Sequence, residues 1–203
     1  MLRLQMTSWQ QYNDKASSFF ESYIGMSFDE IFSDVAEFIP SSGESCLDIG
    51  AGSGRDSAAL AKRGLKVTAV EPSVEFRALA KNYHKDLDIT WIDDSLPYLK
   101  KVSTSNKKFD FILMSAVWMH LPPEDRTQAL HTAYNLLNAH GKMIITLRLG
   151  PAEPERVIYK ITTEEAISKA KEAGFNVEFV NPIKEDGFKR NNVTWQIVVL
   201  TKN

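Results

Sequence analysis

From position 45 onward, short apolar runs alternate with amphipathic, capped segments, and this rhythm restricts the fold more than any other feature of the chain. Strands are predicted at 45–49, 66–70, 88–92, 109–114, 142–147, 176–180 and 194–201. Helices are predicted between them. One spans 56–63 and ends at Gly64; another spans 74–83, is capped by Ser73 and carries Phe76, Leu79, Ala80 and Tyr83 on one face. A third covers 124–138, after Pro122-Pro123, and stops near Gly141. A fourth covers 163–173, opened by the capping box of Thr162 and Glu165 and closed at Gly174. Alternation of this kind implies an α/β fold: parallel strands, right-handed crossovers and helices on both faces of the sheet. The final link is too short and too polar for a crossover helix, so the seventh strand is expected to run antiparallel.

Ahead of this region, 13–24 reads as a helix with Phe19, Phe20, Tyr23 and Ile24 on one side. A second helix is expected at 28–39, behind the capping box of Ser27 and Glu30 and stopped by Pro40. The segment STSNKK, 103–108, reads as an exposed loop, and no repeat or second domain is visible in the 203 residues.

The net charge of −2 argues against a protein whose main task is gripping a phosphate backbone. The single cysteine, Cys46, lies in an apolar strand and reads as a small buried filler suited to a reducing compartment. No histidine has metal-ligand spacing, so no metal is expected. The N-terminus turns polar too early for a signal peptide, and the most apolar stretch, FDFILMSAVWMHLPP, is too short to span a bilayer. A cytoplasmic protein without a membrane partner is expected.

The end of the first strand reads LDIGAGSGRDS, 47–57. In an open parallel sheet, ligands bind beyond the carboxyl ends of the strands. Glycines at that place let the backbone approach a ligand without a Cβ in the way. A dinucleotide fingerprint, GxGxxG, would need its third glycine at position 55, which is Arg55; the third glycine is Gly54, and the pattern is GxGxG. Asp48, two residues before Gly50, would repel a pyrophosphate and suits a ligand with a cationic end. The second strand ends in VTAVEPS, where Glu71 can accept hydrogen bonds from ribose hydroxyls. The third ends in WIDDSLP, where Asp93 or Asp94 can accept from an exocyclic amine. Ribose, an amine-bearing base and a cationic amino-acid end together describe S-adenosylmethionine.

With these motifs in place, the chain from about Ser45 onward resembles the class I S-adenosylmethionine-dependent methyltransferases. LDIGAGSGRDS resembles their glycine motif, VTAVEPS their ribose-binding acid, DDSLP their adenine-side acid and FDFILMSAVWMHLPPEDR their fourth-strand motif. LLNAHGKMIITLR resembles the run into their fifth strand, with His140 where many members carry a glycine. The resemblance implies a three-layer Rossmann-like fold whose seven-stranded sheet has the order 3-2-1-4-5-7-6. It implies one methyltransferase domain over 1–203, with a core at 45–203 and a helical lid at 1–39. Cofactor contacts are then expected from Asp48, Gly50, Ala51, Gly52 and Gly54 on the first turn, and from Glu71 and Pro72 on the second. Asp93, Asp94, Ser95 and Ser115 extend the set, with Tyr12 from the lid.

The acceptor side is less legible. His120 follows the fourth strand and suits a general base, or else fixes the turn before Pro122-Pro123. Trp118 and Met119 line an acceptor pocket or pack on the neighbouring helix. Arg148 binds an acidic acceptor or pairs with Glu153 or Glu155. Tyr12 and Trp9 face the sulfonium or pack. The segments 148–159 and 184–192 are expected to reach the same face with nearly cancelling charges, which disfavours nucleic acid. A small-molecule acceptor is expected, methylated on O or N, with S-adenosylhomocysteine as product. Two alternatives stand beside it: a non-catalytic nucleotide-binding adaptor, and a nicotinamide-dependent oxidoreductase.

Overall fold

The computed structural model describes residues 9–10 and 15–203. Its centre is one sheet of eight strands: β1 (Ser45–Ile49), β2 (Lys66–Val70), β3 (Ile89–Ile92), β4 (Phe109–Met114), β5 (Leu137–Leu149), β6 (Asn176–Val180), β7 (Lys184–Glu185) and β8 (Thr194–Thr201). The order is β3-β2-β1-β4-β5-β8-β6, with β7 hydrogen-bonded to β8 off the main path. Strands β1 to β5 pair in parallel, and β8 runs antiparallel to both β5 and β6. The expected order holds with β8 as the seventh strand. The two-residue β7 is an addition, formed where the final hairpin folds back on β8.

Successive side chains on the strands separate to the two faces, as the period of two requires. Cys46, Phe111, Leu113, Ile144, Ile197 and Val199 meet Phe28, Phe32, Val35 and Leu60 on one side. Leu47, Ile112, Met114, Ile145, Val198 and Leu200 meet Ala129, Leu130, Ala133, Ala166 and Ala170 on the other. The helices are α1 (Ala16–Ile24), α2 (Phe28–Ile31), α3 (Arg55–Lys62), α4 (Val74–Tyr83), α5 (Lys100–Thr104), α6 (Arg126–Leu136) and α7 (Thr163–Glu172). Helix α1 lies on α4, where Phe20 packs edge-on to Tyr83 and joins Phe76 and Ala80. Among the described residues no helix is long and apolar enough to cross a membrane.

Four local expectations are corrected. The single helix at 28–39 is instead α2 followed by a 3-10 segment, Ser33–Phe38. The tighter winding turns Phe32 and Val35, three residues apart, toward the same sheet face, where both are buried. The loop at 103–108 begins inside a helix: α5 has no capping residue beside it, and the Asp94 carboxylate accepts the amides of Lys101 and Val102 at 2.7 and 3.0 Å. Helix α6 is shorter than predicted, and β5 starts at Leu137, five residues early. Gly141 therefore does not stop a helix. It sits inside the strand, where its carbonyl accepts the Lys202 amide at 3.0 Å and the neighbouring His140 amide donates to the Lys202 carbonyl at 3.0 Å. A Cβ on Gly141 would lie 3.0 and 3.1 Å from the carbonyl oxygens of Asn138 and Asp110. Gly141→Ala should then destabilise the fold by about 1–3 kcal/mol, as overpacking against backbone does. Thermal melting checks it, with an expected drop of roughly 2–4 °C per kcal/mol for a chain of this size.

Candidate active site

Strands β1, β2 and β4 are parallel neighbours, so their carboxyl ends share one edge, and the turns leaving them form one wall of a cavity of about 920 Å³. The turn after β1 is held by the Val70 carbonyl, which accepts the amides of Gly50 and Ala51 at 2.8 and 2.9 Å. Gly52 has φ +53°, and a Cβ there would meet nothing closer than the Gly50 carbonyl at 3.9 Å. The chain thus leaves open space over Gly52, on the cavity wall. Gly54, at φ +75°, answers a different demand: its Cβ would lie 2.8 Å from both His84 and Trp91. Gly54 is packed from beneath by the protein and is not part of the wall. His84 also reaches the Ser53 carbonyl with its Nε2 at 3.1 Å, which braces the same turn.

Glu71 is almost wholly buried and lines the cavity. Its two oxygens accept the amides of Gly52 and Ser73 at 2.8 and 2.7 Å. Burial pushes its pKa up to about 7, with those two hydrogen bonds acting in the opposite direction. Asp48 is buried beneath the turn and accepts the Ser57 hydroxyl at 2.6 Å. Burial, and then the neighbouring Asp56 carboxylate, raise it to about 7 as well. Asp48 is buried and not on the cavity wall, where direct contact with a cationic ligand was expected of it, and its carboxylate is taken up by the Ser57 hydroxyl.

The other expected residues divide the same way. Ala51, Pro72, Asp94, Ser95 and Ser115 line the cavity together with Gly50. Asp93 does not; it points outward to ion pairs with Arg77 and Lys101, both at 3.3 Å. Asp94 is on the wall, but its carboxylate already accepts three amides, from Ser95, Lys101 and Val102. Trp118 is corrected: it is fully buried in the core, with the Arg126 guanidinium 5.8 Å from its ring centre, and does not reach the cavity. Its neighbours Met119 and His120 do. Tyr12 lies outside the described residues; Trp9 is on the wall.

His120 is fixed by the loop after β5. Its Nδ1 lies 2.9 Å from the Val157 carbonyl. A carbonyl only accepts, so Nδ1 carries the proton and Nε2 the lone pair of the neutral ring. Val157 holds φ +49°, a rare conformation for a β-branched residue, and the Tyr159 amide donates to the Met119 carbonyl at 2.8 Å on the same stretch. Burial pulls the His120 pKa down to about 4, and the Arg156 and Arg148 charges act in the same direction. Arg148, 1 % exposed, gives one guanidinium nitrogen to Glu153 and another to the Pro151 carbonyl at 3.1 Å. Arg148 is therefore ion-paired with Glu153, the second of its two readings, and also lines the cavity.

Sequence reasoning missed the residues that close the cavity from above. Tyr23 and Met26, at the end of α1 and just beyond it, meet Phe188 and Gly187 of the β7–β8 hairpin, with 6.1 Å between the Tyr23 and Phe188 ring centres. Trp195 was read only as part of a strand, yet it lines the cavity and donates its Nε1 hydrogen to Asp186 at 2.7 Å. Nothing local distinguishes these aromatics from core residues.

The fold and the strand-edge cavity define a Rossmann-like domain of the methyltransferase type. Residues 46–141, just under half of the chain, match the methyltransferase domain family model. An uncharacterized methyltransferase of Staphylococcus carnosus is 33 % identical over 100 residues, 49 % of this chain and 44 % of the relative. The chain thus spans less than half the length of the first curated relatives it matches. The fold is shared with magnesium protoporphyrin IX methyltransferase from Synechocystis, solved with bound S-adenosylmethionine, at TM-score 0.71, 14 % identity and coverage of 99 % and 100 % of the two chains. It is shared also with the N-methyltransferase NodS from Bradyrhizobium japonicum, solved with S-adenosylhomocysteine, at TM-score 0.76, 13 % identity and coverage of 97 % and 99 %.

The two raised carboxylates predict a pH dependence for the ligand-free protein. Both bind protons more tightly folded than unfolded, so their contribution to stability is full below their ordinary pKa range and is lost as pH rises through about 7. The unfolding midpoint should fall between about pH 5 and about pH 8. Asp48→Asn should flatten part of that slope; a slope unchanged in this variant removes Asp48 as its source.

Proposed function

We propose that the protein transfers a methyl group from S-adenosylmethionine to an oxygen or nitrogen of a small molecule. The observation that carries this reading is the open space over Gly52, bordered by Glu71, at the joined tips of β1 and β2. The residues suit the cofactor: Glu71 has acceptor capacity for ribose hydroxyls beyond its two amide bonds, Gly50 to Gly52 give close backbone approach, and Ser95 borders the base side. When bound, S-adenosylmethionine supplies a methyl already activated by its sulfonium.

The protein's task is then positioning, exclusion of water and removal of a proton. His120 stands on the cavity wall as the candidate base, its ring oriented by Val157. A base held near 4 is weak, and it suits a proton that the acceptor sheds as its heteroatom bonds to carbon. The segment from Tyr23 to Ile31 acts as a lid, meeting the β7–β8 hairpin over the cavity. Asp94 serves mainly as the remote cap of α5, setting the course of Ser95 and Leu96 along the wall.

Calorimetric titration with S-adenosylmethionine and S-adenosylhomocysteine tests the cofactor, and absence of binding at millimolar concentration overturns the proposal. The two glycines should separate in the same titration. Gly52→Ala costs about 1–2 kcal/mol in backbone strain but meets no protein atom, so its main loss should be cofactor affinity. Gly54→Ala collides with His84 and Trp91 and should lower thermal stability more than Gly52→Ala does.

Once an acceptor is in hand, His120→Asn should lower kcat by about 10²–10⁴ and leave S-adenosylhomocysteine affinity nearly unchanged. The acid limb of the wild-type rate profile should lie near pH 4 rather than near the ordinary histidine range. A limb there that survives in His120→Asn rules out the assignment.

A further inference from the structure

Helix α4 is tied to the glycine turn from both of its ends. At its start, Glu71 joins the Ser73 amide to the Gly52 amide, at 2.7 and 2.8 Å. At its other end His84, 8 % exposed, puts its Nε2 3.1 Å from the Ser53 carbonyl. A carbonyl only accepts, so Nε2 carries the proton of the neutral ring. Burial is the main cause holding the His84 pKa below its ordinary value, which favours that neutral form. The ring stands on a fixed base. The His84 amide donates to the Ala80 carbonyl at 2.9 Å, and the His84 carbonyl accepts the Leu87 amide at 3.0 Å. The Tyr83 ring lies edge-on to the imidazole, with 5.0 Å between ring centres.

Ser53 lies between two glycines with left-handed φ, +53° at Gly52 and +75° at Gly54. Glycine rotates at little steric cost, so the peptide joining Ser53 to Gly54 keeps one orientation only where its polar groups are held. Those groups point in opposite directions across a trans peptide. The Gly54 amide donates to the Ala51 carbonyl at 2.8 Å, a bond internal to the turn. The Ser53 carbonyl accepts from His84, and that bond ties the same peptide to the end of α4. Gly52 and Ser53 line the cavity, whereas His84 stands behind them and does not. We propose that His84 is a positioning residue for the cofactor: without touching it, the imidazole holds the Ser53–Gly54 peptide in the orientation that keeps the space over Gly52 open. The proposal rests on the S-adenosylmethionine reading above and adds a residue behind the wall that sets the cofactor's affinity. A turn shaped in advance does not have to be ordered when the ligand arrives, and the affinity gains accordingly.

The test compares His84→Gln, His84→Asn and His84→Leu in the full chain by calorimetric titration with S-adenosylhomocysteine. Glutamine carries an amide nitrogen about as far from the backbone as Nε2, asparagine falls short of that point, and leucine fills space without a donor. The Asn and Leu variants should bind about three- to tenfold more weakly, the worth of one hydrogen bond, while His84→Gln stays within about twofold of the unaltered protein. Gly141→Ala, strained away from this turn, should bind as the unaltered protein does, which separates lost affinity from lost stability. Unchanged affinity in all three His84 variants overturns the proposal. So does a loss in His84→Gln as large as that in His84→Leu, which leaves the ring only as packing beneath Gly54. Heteronuclear NMR of the histidine rings in the unaltered, ligand-free chain needs no variant to fold. It should find His84 neutral and protonated at Nε2; protonation at Nδ1 instead overturns the donor role. In each of the titration outcomes the unaltered protein binds S-adenosylhomocysteine and the cofactor reading stands; if it does not bind, both fall.

Discussion

Glu71 stands at the tip of β2 with almost no exposure, and its two oxygens hold the amides of Gly52 and Ser73. One amide belongs to the turn leading into α3 and the other to the cap of α4. A single carboxylate thereby ties two strand-to-helix turns together, alongside the Val70 carbonyl that holds Gly50 and Ala51. Charge-assisted hydrogen bonds to amides are strong in a low-dielectric site, and here they work against the desolvation that raises the group toward neutrality. Hydroxyl donors from a ligand would favour the charged form further. The same carboxylate that organises the edge thus keeps acceptor capacity toward the cavity.

The cavity has two halves of different origin. The glycine-turn half comes from consecutive elements, β1 to α4, whose geometry follows from parallel pairing. The opposite half is assembled from pieces far apart in the chain: the α1–α2 junction, the turn after β4, the loop after β5 and the β7–β8 hairpin. These pieces are tied by polar contacts at the edge rather than by the sheet core. His120 to Val157, Met119 to Tyr159 and Asp186 to Trp195 are the ties that place them. This division accounts for why the glycine-turn half can be read in the chain while the opposite half depends on ion-pair arrangement.

The legible parts are those governed by local period and spacing. The strands of the sheet and the antiparallel β8 follow from alternation and link length, while their order was what the resemblance implied. The places where local rules failed share a cause. Helix α5 is capped by Asp94 from six residues upstream, beyond the reach of a capping motif. Gly141 carries the composition of a helix stop, but its lack of a Cβ serves contact with Asp110 and Asn138 inside β5. The stretch after Phe28 has helical spacing over its apolar residues, yet the sheet face it must cover favours tighter winding.

The sequence by itself determined the α/β layering, the position of the ligand edge and the carboxylates that flank the glycine turn. Each of these follows from side-chain period or from conformations open only to glycine, and both act within a few residues. Only the tertiary structure decided that His120 faces the cavity while Trp118, two residues earlier, is core. It alone decided that Asp94 rather than Asp93 borders the site, that Asp48 lies beneath the turn, and that Arg148 shares Glu153 with Arg156. Burial and charge pairing are set by whichever distant segments arrive at the same edge, and a local pattern carries no record of them.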